Sequence, residues 1–310
     1  MPVAAIESLI LLLSHSPPST ISETLSLLSG YSKTLKSSVA NPIAVSAGTD
    51  LFQRYLISVL QSPPSTNKSE GKPPITVQGS STDDFQAIRN HLINNRQSFI
   101  AQAKEARSQI ANIAQHFIRY NNTILTYGSS RAVGATLAAA FRAGTSFKLV
   151  YVCDSGTASP SPADIPSTMP PPSPELPVAL IRPSEVAHVL PQTSMVLLGA
   201  EGVVENGGII SRMGTYQLGV LAKSAGKPVY VCAESHKFVR MFPLSQNDVC
   251  GEVLRFSEGV EKGGGIEEKG KGGGKSRVDY TPPELITALV SESGVHTPSA
   301  VSEELIQMWY

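Results

Sequence analysis

Three short stretches of this sequence set small and polar residues where an apolar run gives way to a turn, and each suits the binding of an anion. After TILTY the chain reads Gly128-Ser129-Ser130-Arg131 and enters a helical pattern. Free backbone N–H groups at a helix N-terminus, two hydroxyls and a guanidinium make a seat for phosphate. The same residues also suit an ordinary turn whose serine caps the helix. The second stretch, Gly199-Ala200-Glu201-Gly202-Val203-Val204-Glu205-Asn206-Gly207-Gly208, places carboxylates, an amide and glycines ahead of Arg212 and a Gly214-Thr215 helix start. Its plainer reading is a glycine-rich turn with solvated charges. The third, Ala233-Glu234-Ser235-His236-Lys237-Phe238, adds a carboxylate and a lysine, for which a surface ion pair is the plainer reading. Gathered in one crevice, such turns favour a small phosphorylated ligand.

Other chemistries find less support. Gly265 to Lys271 (GIEEKGK) matches the first seven positions of a phosphate-loop pattern, but Gly272 stands where Ser or Thr should bind magnesium, and no strand precedes it. The 6 histidines form no HxxxH pair and the 3 cysteines (Cys153, Cys232, Cys250) are far apart, so zinc spacing is absent and no metal site is expected. Gly128-Ser129-Ser130 lacks the first glycine of a GxSxG nucleophile elbow, which argues against a hydrolase.

The elements that must position these residues are of two kinds. Up to about residue 118 the chain reads as helices: Ile6, Leu9, Ile10 and Leu13, then Ile21, Leu25 and Leu28, recur at helical spacing. NPIAVSAGTDLFQRYLISVL opens with turn residues and predicts a helix from about Thr49. Residues 61–80, rich in Pro, Ser and Gly, predict an exposed loop. Phe99, Ala103, Ala106, Ile110, Ile113 and Phe117 then share one face of a long helix expected to start near Asp83. From Asn121 short β-branched runs alternate with helical patterns, which predicts a parallel sheet covered on both faces. The expected fold class is therefore α/β: an N-terminal helical domain (1–118) followed by a doubly wound, Rossmann-like parallel-sheet domain (119–310). Its ligand crevice should lie beyond the carboxyl ends of the strands. A proline-rich stretch (156–177) and a glycine-rich insertion (257–276) interrupt it. Thr281 with Glu284, around Pro282, reads as a capping box opening a helix, and Thr297-Pro298 as the start of a terminal helix with Leu305, Met308 and Trp309 on its apolar side.

Composition narrows the function. The 310 residues carry 25 Lys+Arg against 25 Asp+Glu, and a net charge of +0 argues against nucleic acid or a membrane surface as partner. Charged residues are only 16% and hydrophobic ones 41%, leaving much surface to hide in a core or against other subunits. Few cysteines, no signal-like segment and no apolar run of about 20 residues predict a soluble, cytosolic chain.

The stretches GAEGVVENGGIISRMGT, AESHKFVRMFPLSQNDV, VDYTPPELITALVSESGVHTPSAVSEELI, ILTYGSSRAV and SAGTDLFQRY resemble the eukaryotic translation initiation factor 2B subunit family, and within it the alpha branch more than beta or delta. That family also contains aldose–ketose isomerases acting on methylthioribose 1-phosphate and ribose 1,5-bisphosphate. The resemblance implies that Gly128 stands where those enzymes carry a cysteine, and Glu201 where they carry a catalytic aspartate. A glycine cannot move a proton. A carboxylate shifted by one methylene, on the order of 1 Å, costs roughly a hundredfold where geometry is strict. The enzymes' Asn-Lys pair becomes Ser211-Arg212, which keeps a cation for phosphate.

The resemblance thus implies no catalytic residue and no required cofactor. It implies a retained pocket for a sugar phosphate or nucleoside monophosphate, formed by Gly48, Thr49, Gly128, Ser129, Ser130, Arg131, Glu201, Asn206, Gly207, Gly208, Arg212 and Lys237. It further implies a regulatory subunit of a guanine-nucleotide exchange factor. Such a chain would pair with itself, join beta and delta subunits, and sense initiation factor 2 phosphorylated on its alpha subunit. An active sugar-phosphate isomerase using Glu201 is the alternative, and a free-standing metabolite-binding homodimer a third. The proline-rich stretch departs from the branch, since it stands where a helix is expected after Cys153-Asp154-Ser155.

Overall fold

A computed structural model describes residues 2–15, 21–39, 42–61, 96–154, 160–249, 278–303 and 305. The chain forms two compact units, Met1–Lys104 and Glu105–Tyr310. The division between the two units falls inside a helix.

In the first unit α1 (Pro2–His15), α2 (Ile21–Ser38) and α3 (Pro42–Gln61) are helical. The stripe of α1 is buried as its spacing requires: Ile6, Leu9, Ile10 and Leu13 cluster with Leu28 and Phe52. Helix α3 starts at Pro42, seven residues before the expected Thr49. Proline suits the first helical position, where its missing N–H costs nothing. The internal Gly48 costs about 1 kcal/mol of helix propensity, which the buried Ile43, Ala44, Val45, Ala47 and Phe52 offset.

Helix α4 (Arg96–Ala114) carries the expected stripe into the second unit, where Ala106, Ile110 and Ala114 are buried. The start expected near Asp83 lies outside the described residues, as do the loop at 62–80, the insertion at 257–276, and Met308 and Trp309.

A seven-stranded sheet follows, in the order β10-β9-β7-β4-β1-β2-β3. Its strands are β1 (Thr123–Tyr127), β2 (Lys148–Val152), β3 (Val178–Ile181), β4 (Met195–Gly199), β7 (Val229–Cys232), β9 (Ala288–Ser291) and β10 (Gly294–His296). All pair in parallel except β10. The apolar runs bury both faces by alternation. Ile124, Leu149, Met195 and Leu197 face one core, and Leu125, Val150, Val196 and Leu198 the other. Helix α5 (Arg131–Arg142) belongs to the first of these layers, and the short α6 (Val186–Val189) and α7 (Thr215–Ser224) to the second. A smaller antiparallel sheet, β5 (Gly202–Val203), β6 (Ile209–Arg212) and β8 (Val278–Thr281), completes the unit.

The helix expected after Thr281 is not formed. VDYT is strand β8, Pro283–Leu285 make a single 3-10 turn, and the chain enters β9. Prolines in a first turn would not prevent a helix, but Ile286, Leu289 and Val290 are buried along the sheet, and the run Ala288–Ser291 pairs as a strand with β7. After a 3-10 turn at Pro298–Ala300, residues 301–303 and 305 are helical, with Val301 and Leu305 buried.

Between β2 and β3 the described part of the proline-rich stretch, residues 160–177, holds only a 3-10 turn, Pro162–Asp164. It is packed nonetheless, with Met169 and Leu176 in the core beside α5. Gly134 on α5 permits that approach, since a Cβ there would lie 1.8 Å from the carbonyl oxygen of Thr168. Alanine gains about 1 kcal/mol in a helix over glycine, but forcing the strap outward costs about 1–3 kcal/mol. Gly134→Ala should therefore lower the urea midpoint. A variant as stable as the wild type would show that the strap does not rest on α5.

Candidate functional site

The strand order reverses between β1 and β4, and the crevice of a doubly wound sheet lies at the carboxyl ends of those two strands. Here Gly128 follows β1 and Gly199 ends β4. The turn after β1 sits directly on β4: a Cβ on Gly199 would lie 2.2 Å from Cβ and Oγ of Ser130. Ser130 is the N-cap of α5, its Oγ accepting a hydrogen bond from Val133 N at 3.4 Å. The capping role is therefore occupied, while Ser129 and Arg131 beside it are exposed. Gly128 is buried with φ +81, and nothing lies within 4 Å of where its Cβ would be, so the backbone faces open space. A side chain there would be strained by the left-handed backbone.

One flank of this turn is a cluster of charges at the end of β7. Glu234 is 1% exposed, with Lys237 Nζ at 2.7 Å and Arg107 Nε, from α4, at 3.9 Å. Burial alone would push its carboxyl up, but Lys237, through charge and a hydrogen bond, holds it down at about 2. Lys237 is thus enclosed (13% exposed) and not the surface ion pair of the plainer reading. Burial and nearby Arg131 lower the pKa of Arg107 against the pull of Glu234. Burial also carries His236 down to about 4.

The other flank is polar and more open. Arg212 lies 3.6 Å from Asp154 Oδ2 and over the Tyr127 ring at 5.6 Å, both charged side chains being about half exposed. The Tyr127 hydroxyl donates to Met213 O at 2.7 Å and lies 3.3 Å from Asp154 Oδ2, tying the ends of β1, β2 and β6 together. Burial raises its phenol to about 12. Behind them Asp279 of β8 caps α7, its Oδ2 accepting from Gly214 N at 2.7 Å and Tyr216 N at 3.0 Å. Asp279 is 4% exposed, and its Oδ1 is buried with no hydrogen-bond partner. Burial raises its pKa to about 6 although the helix N–H groups pull the other way.

Glu201 follows β4, half-buried, its backbone N donating to Ile210 O at 2.9 Å. Asn206, Gly207 and Gly208 form the β5–β6 turn. The Asn206 amide donates to Pro243 O and the Tyr280 hydroxyl, and its oxygen accepts from Gly208 N. Gly207 abuts Pro298, and Gly208 abuts Tyr280. Gly48 and Thr49 lie in the first unit, on α3, where Thr49 Oγ1 donates to Ser46 O at 3.0 Å. Sequence reasoning missed Arg107, Tyr127 and Asp279. The one signal for Asp279 is a lone carboxylate within the apolar run of β8.

Chemically, the two flanks supply guanidinium, ammonium and N–H donors for an anion. The nearby thiols are poor proton carriers, because burial pushes Cys232 up to about 12 and raises Cys153 as well. Among the described residues no three His, Cys, Asp or Glu side chains gather as a metal site, and no helix is long and apolar enough to cross a membrane.

Comparison with known proteins agrees with this architecture. The sequence model described as the initiation factor 2 subunit family matches residues 1–298. Translation initiation factor eIF2B subunit alpha of Dictyostelium discoideum is 35% identical over 73% of this chain and 71% of its own length. The Caenorhabditis elegans protein of the same name is 30% identical over 99% and 92%. In Dictyostelium discoideum, eIF2B subunit beta is 26% identical over 74% and 57%. Among solved structures, a chain of the tetrameric eIF2B beta2-delta2 complex from C. thermophilum superposes with a TM-score of 0.72 at 16% identity, covering 99% of this chain and 88% of that one. The Pyrococcus horikoshii OT3 factor eIF-2B gives 0.60 at 17% identity, covering 96% and 90%.

Asp279 yields a prediction about stability. Its folded pKa of about 6 exceeds the unfolded value near 3.9, so ionisation opposes folding and stability falls as pH rises from about 4 to about 6. About two pKa units correspond to roughly 3 kcal/mol. Asp279→Asn keeps an acceptor for the α7 N–H groups and removes the titration. The stability difference between wild type and Asp279→Asn, measured by urea unfolding, should change by about that amount between pH 4 and pH 7. A pH-independent difference would show that Asp279 titrates normally.

Proposed function

Because the chain belongs to the initiation factor 2 subunit family, we propose that it is a regulatory, non-catalytic alpha-type subunit of the eIF2B guanine-nucleotide exchange complex, working in the cytosol. The observation that carries this reading is the 30% identity to a eIF2B subunit alpha over 99% of the chain. In this role the subunit pairs with a second copy, joins beta and delta subunits, and helps sense initiation factor 2 phosphorylated on its alpha subunit. Exposed Phe242 and Leu244, and Tyr216 with Val220 one turn apart on α7, supply apolar surface for subunit contacts. Co-purification with beta and delta subunits tests the assembly; a chain that captures neither is not such a subunit.

The strand-end crevice is proposed to hold a sugar phosphate or nucleoside monophosphate as a structural or regulatory ligand. Open space over Gly128, exposed Ser129 and Arg131, and Arg212 opposite support an anion there. A charge-assisted contact contributes about 1.5–3 kcal/mol, so Arg212→Ala should weaken binding about tenfold or more in calorimetry with sugar phosphates. Equal affinity would remove Arg212 from the site.

An active isomerase is the second reading, favoured by one observation: Asp279, raised to about 6, titrates in the range a proton shuttle needs. Ketose formation from ribose 1,5-bisphosphate or methylthioribose 1-phosphate would establish it. The regulatory reading expects none.

A further inference from the structure

A second cavity lies at the opposite end of the sheet, bordered by residues that precede β1, β4 and β7, and it shares none of the residues of the crevice. It has a volume of about 560 Å³ and is lined in part by Ile113, near the end of α4, and Met195 of β4. That size is within the range of small-molecule sites, about 300–1,000 Å³.

Its lining is of two kinds. The apolar part is built on Phe117 and Tyr230, whose rings pack 4.8 Å apart at 30°, and it extends to Val295, which is 48% exposed on the edge strand β10. The polar part is mostly donors, with Asn122 beside them, its Oδ1 accepting from Arg119 N at 3.0 Å. Arg119 and His116 both line it, and among the described residues neither the guanidinium nor the imidazole has a hydrogen-bond or ion-pair partner. Ser194 Oγ accepts from Thr123 N at 3.0 Å, which leaves its proton to donate. Among the described residues no carboxylate borders the space.

A guanidinium and further donors around an aromatic floor, with no acid among the described lining residues, complement a negative charge on a hydrophobic body. We propose that this cavity binds an apolar organic anion, a carboxylate or phosphate ester carried on an aromatic or aliphatic group. Its apolar body lies on Phe117 and Tyr230, and its charge is met by Arg119 with Ser194 and His116. A sugar phosphate suits the place poorly, because its hydroxyls would face the ring pair without partners. The site is therefore independent of the strand-end crevice and of what fills it.

Anilinonaphthalene sulfonate, an aromatic sulfonate, probes the intact chain by fluorescence, with neutral phenylnaphthylamine as control. The proposal expects saturable binding of one sulfonate probe, at least tenfold tighter than the neutral analogue. Arg119→Gln should abolish that preference. Val295→Trp, an exposed edge position whose larger ring fills the space, should weaken both probes at least tenfold. Circular dichroism confirms that each variant is folded. Sugar-phosphate affinity should be the same in Arg119→Gln as in the wild type, which separates this site from the crevice. Unchanged probe affinity in both folded variants, equal binding of the charged and neutral probes, or displacement of the probe by a sugar phosphate would each overturn the proposal.

Discussion

The site is organised by the contact of Ser130 on Gly199 at the point where the strand order reverses. A methyl group on Gly199 would coincide with the serine side chain, at 2.2 Å from both Cβ and Oγ. Because Ser130 also caps α5, the same contact fixes where that helix begins and so directs its first N–H groups over the end of β4. The backbone at Gly128, Ser129 and Arg131 takes its place from this fit. From β1 outward, Tyr127 then ties β2 and β6 to the turn through Asp154 and Met213. The crevice thus owes its shape to backbone packing and short hydrogen bonds, and its charged groups are added at the edges.

Those edges show how environment separates two like carboxylates. Glu234 and Asp279 are both buried, and desolvation raises the pKa of each. Glu234 faces a full positive charge on Lys237 and ends near 2. Asp279 faces only the N–H groups of a helix and ends near 6. A point charge at 2.7 Å outweighs burial, whereas partial charges on a helix end do not. The consequences for stability have opposite signs. Glu234 contributes above its unfolded pKa near 4.3, and that contribution is lost as pH falls towards 2. Asp279 opposes folding once pH rises through about 4 to 6. Each is on the order of 3 kcal/mol, so the two largely offset at neutral pH.

Much of the architecture was legible in the sequence because it rests on periodicity. Continuous apolar runs such as MVLLG are read as buried parallel strands, and the stripe ending at Phe117 as a helix face. Misreadings arose where a local signal met a tertiary demand. The TPPE pattern after β8 looks like a capping box, yet the buried residues beyond it pair with β7. The serine and glycine within α3 look like a turn, yet its apolar face is buried from Ile43 onward. In the site, residues adjacent to strand ends were legible one stretch at a time, including Ser129, Arg131 and Lys237. Arg107 was not, because it reaches Glu234 from a helix 127 positions earlier in the chain. No spacing rule encodes such a contact. Asn206 and its glycines hold the β5–β6 turn through hydrogen bonds and packing, and amides and glycines look alike in a pocket and in a tight turn.

Anion binding and proton transfer place different demands on a fold, and this separates the proposed role from its isomerase alternative. Binding needs fixed charges and N–H groups in roughly the right place, and loses about tenfold for each contact that fails. Proton transfer needs a group of near-neutral pKa at the reacting atom, and a displacement of about 1 Å can cost a hundredfold. The groups beside the β1 turn divide along that line. Arg131 and Arg212 supply guanidinium donors. The Tyr127 phenol and the Cys232 thiol hold their protons up to about pH 12. Asp279 is raised to about 6, and its hydrogen bonds to α7 commit one oxygen to holding Gly214 and Tyr216 in place. Its other oxygen is buried with no hydrogen-bond partner, so a base role would fall to an atom enclosed behind the groups that meet the anion.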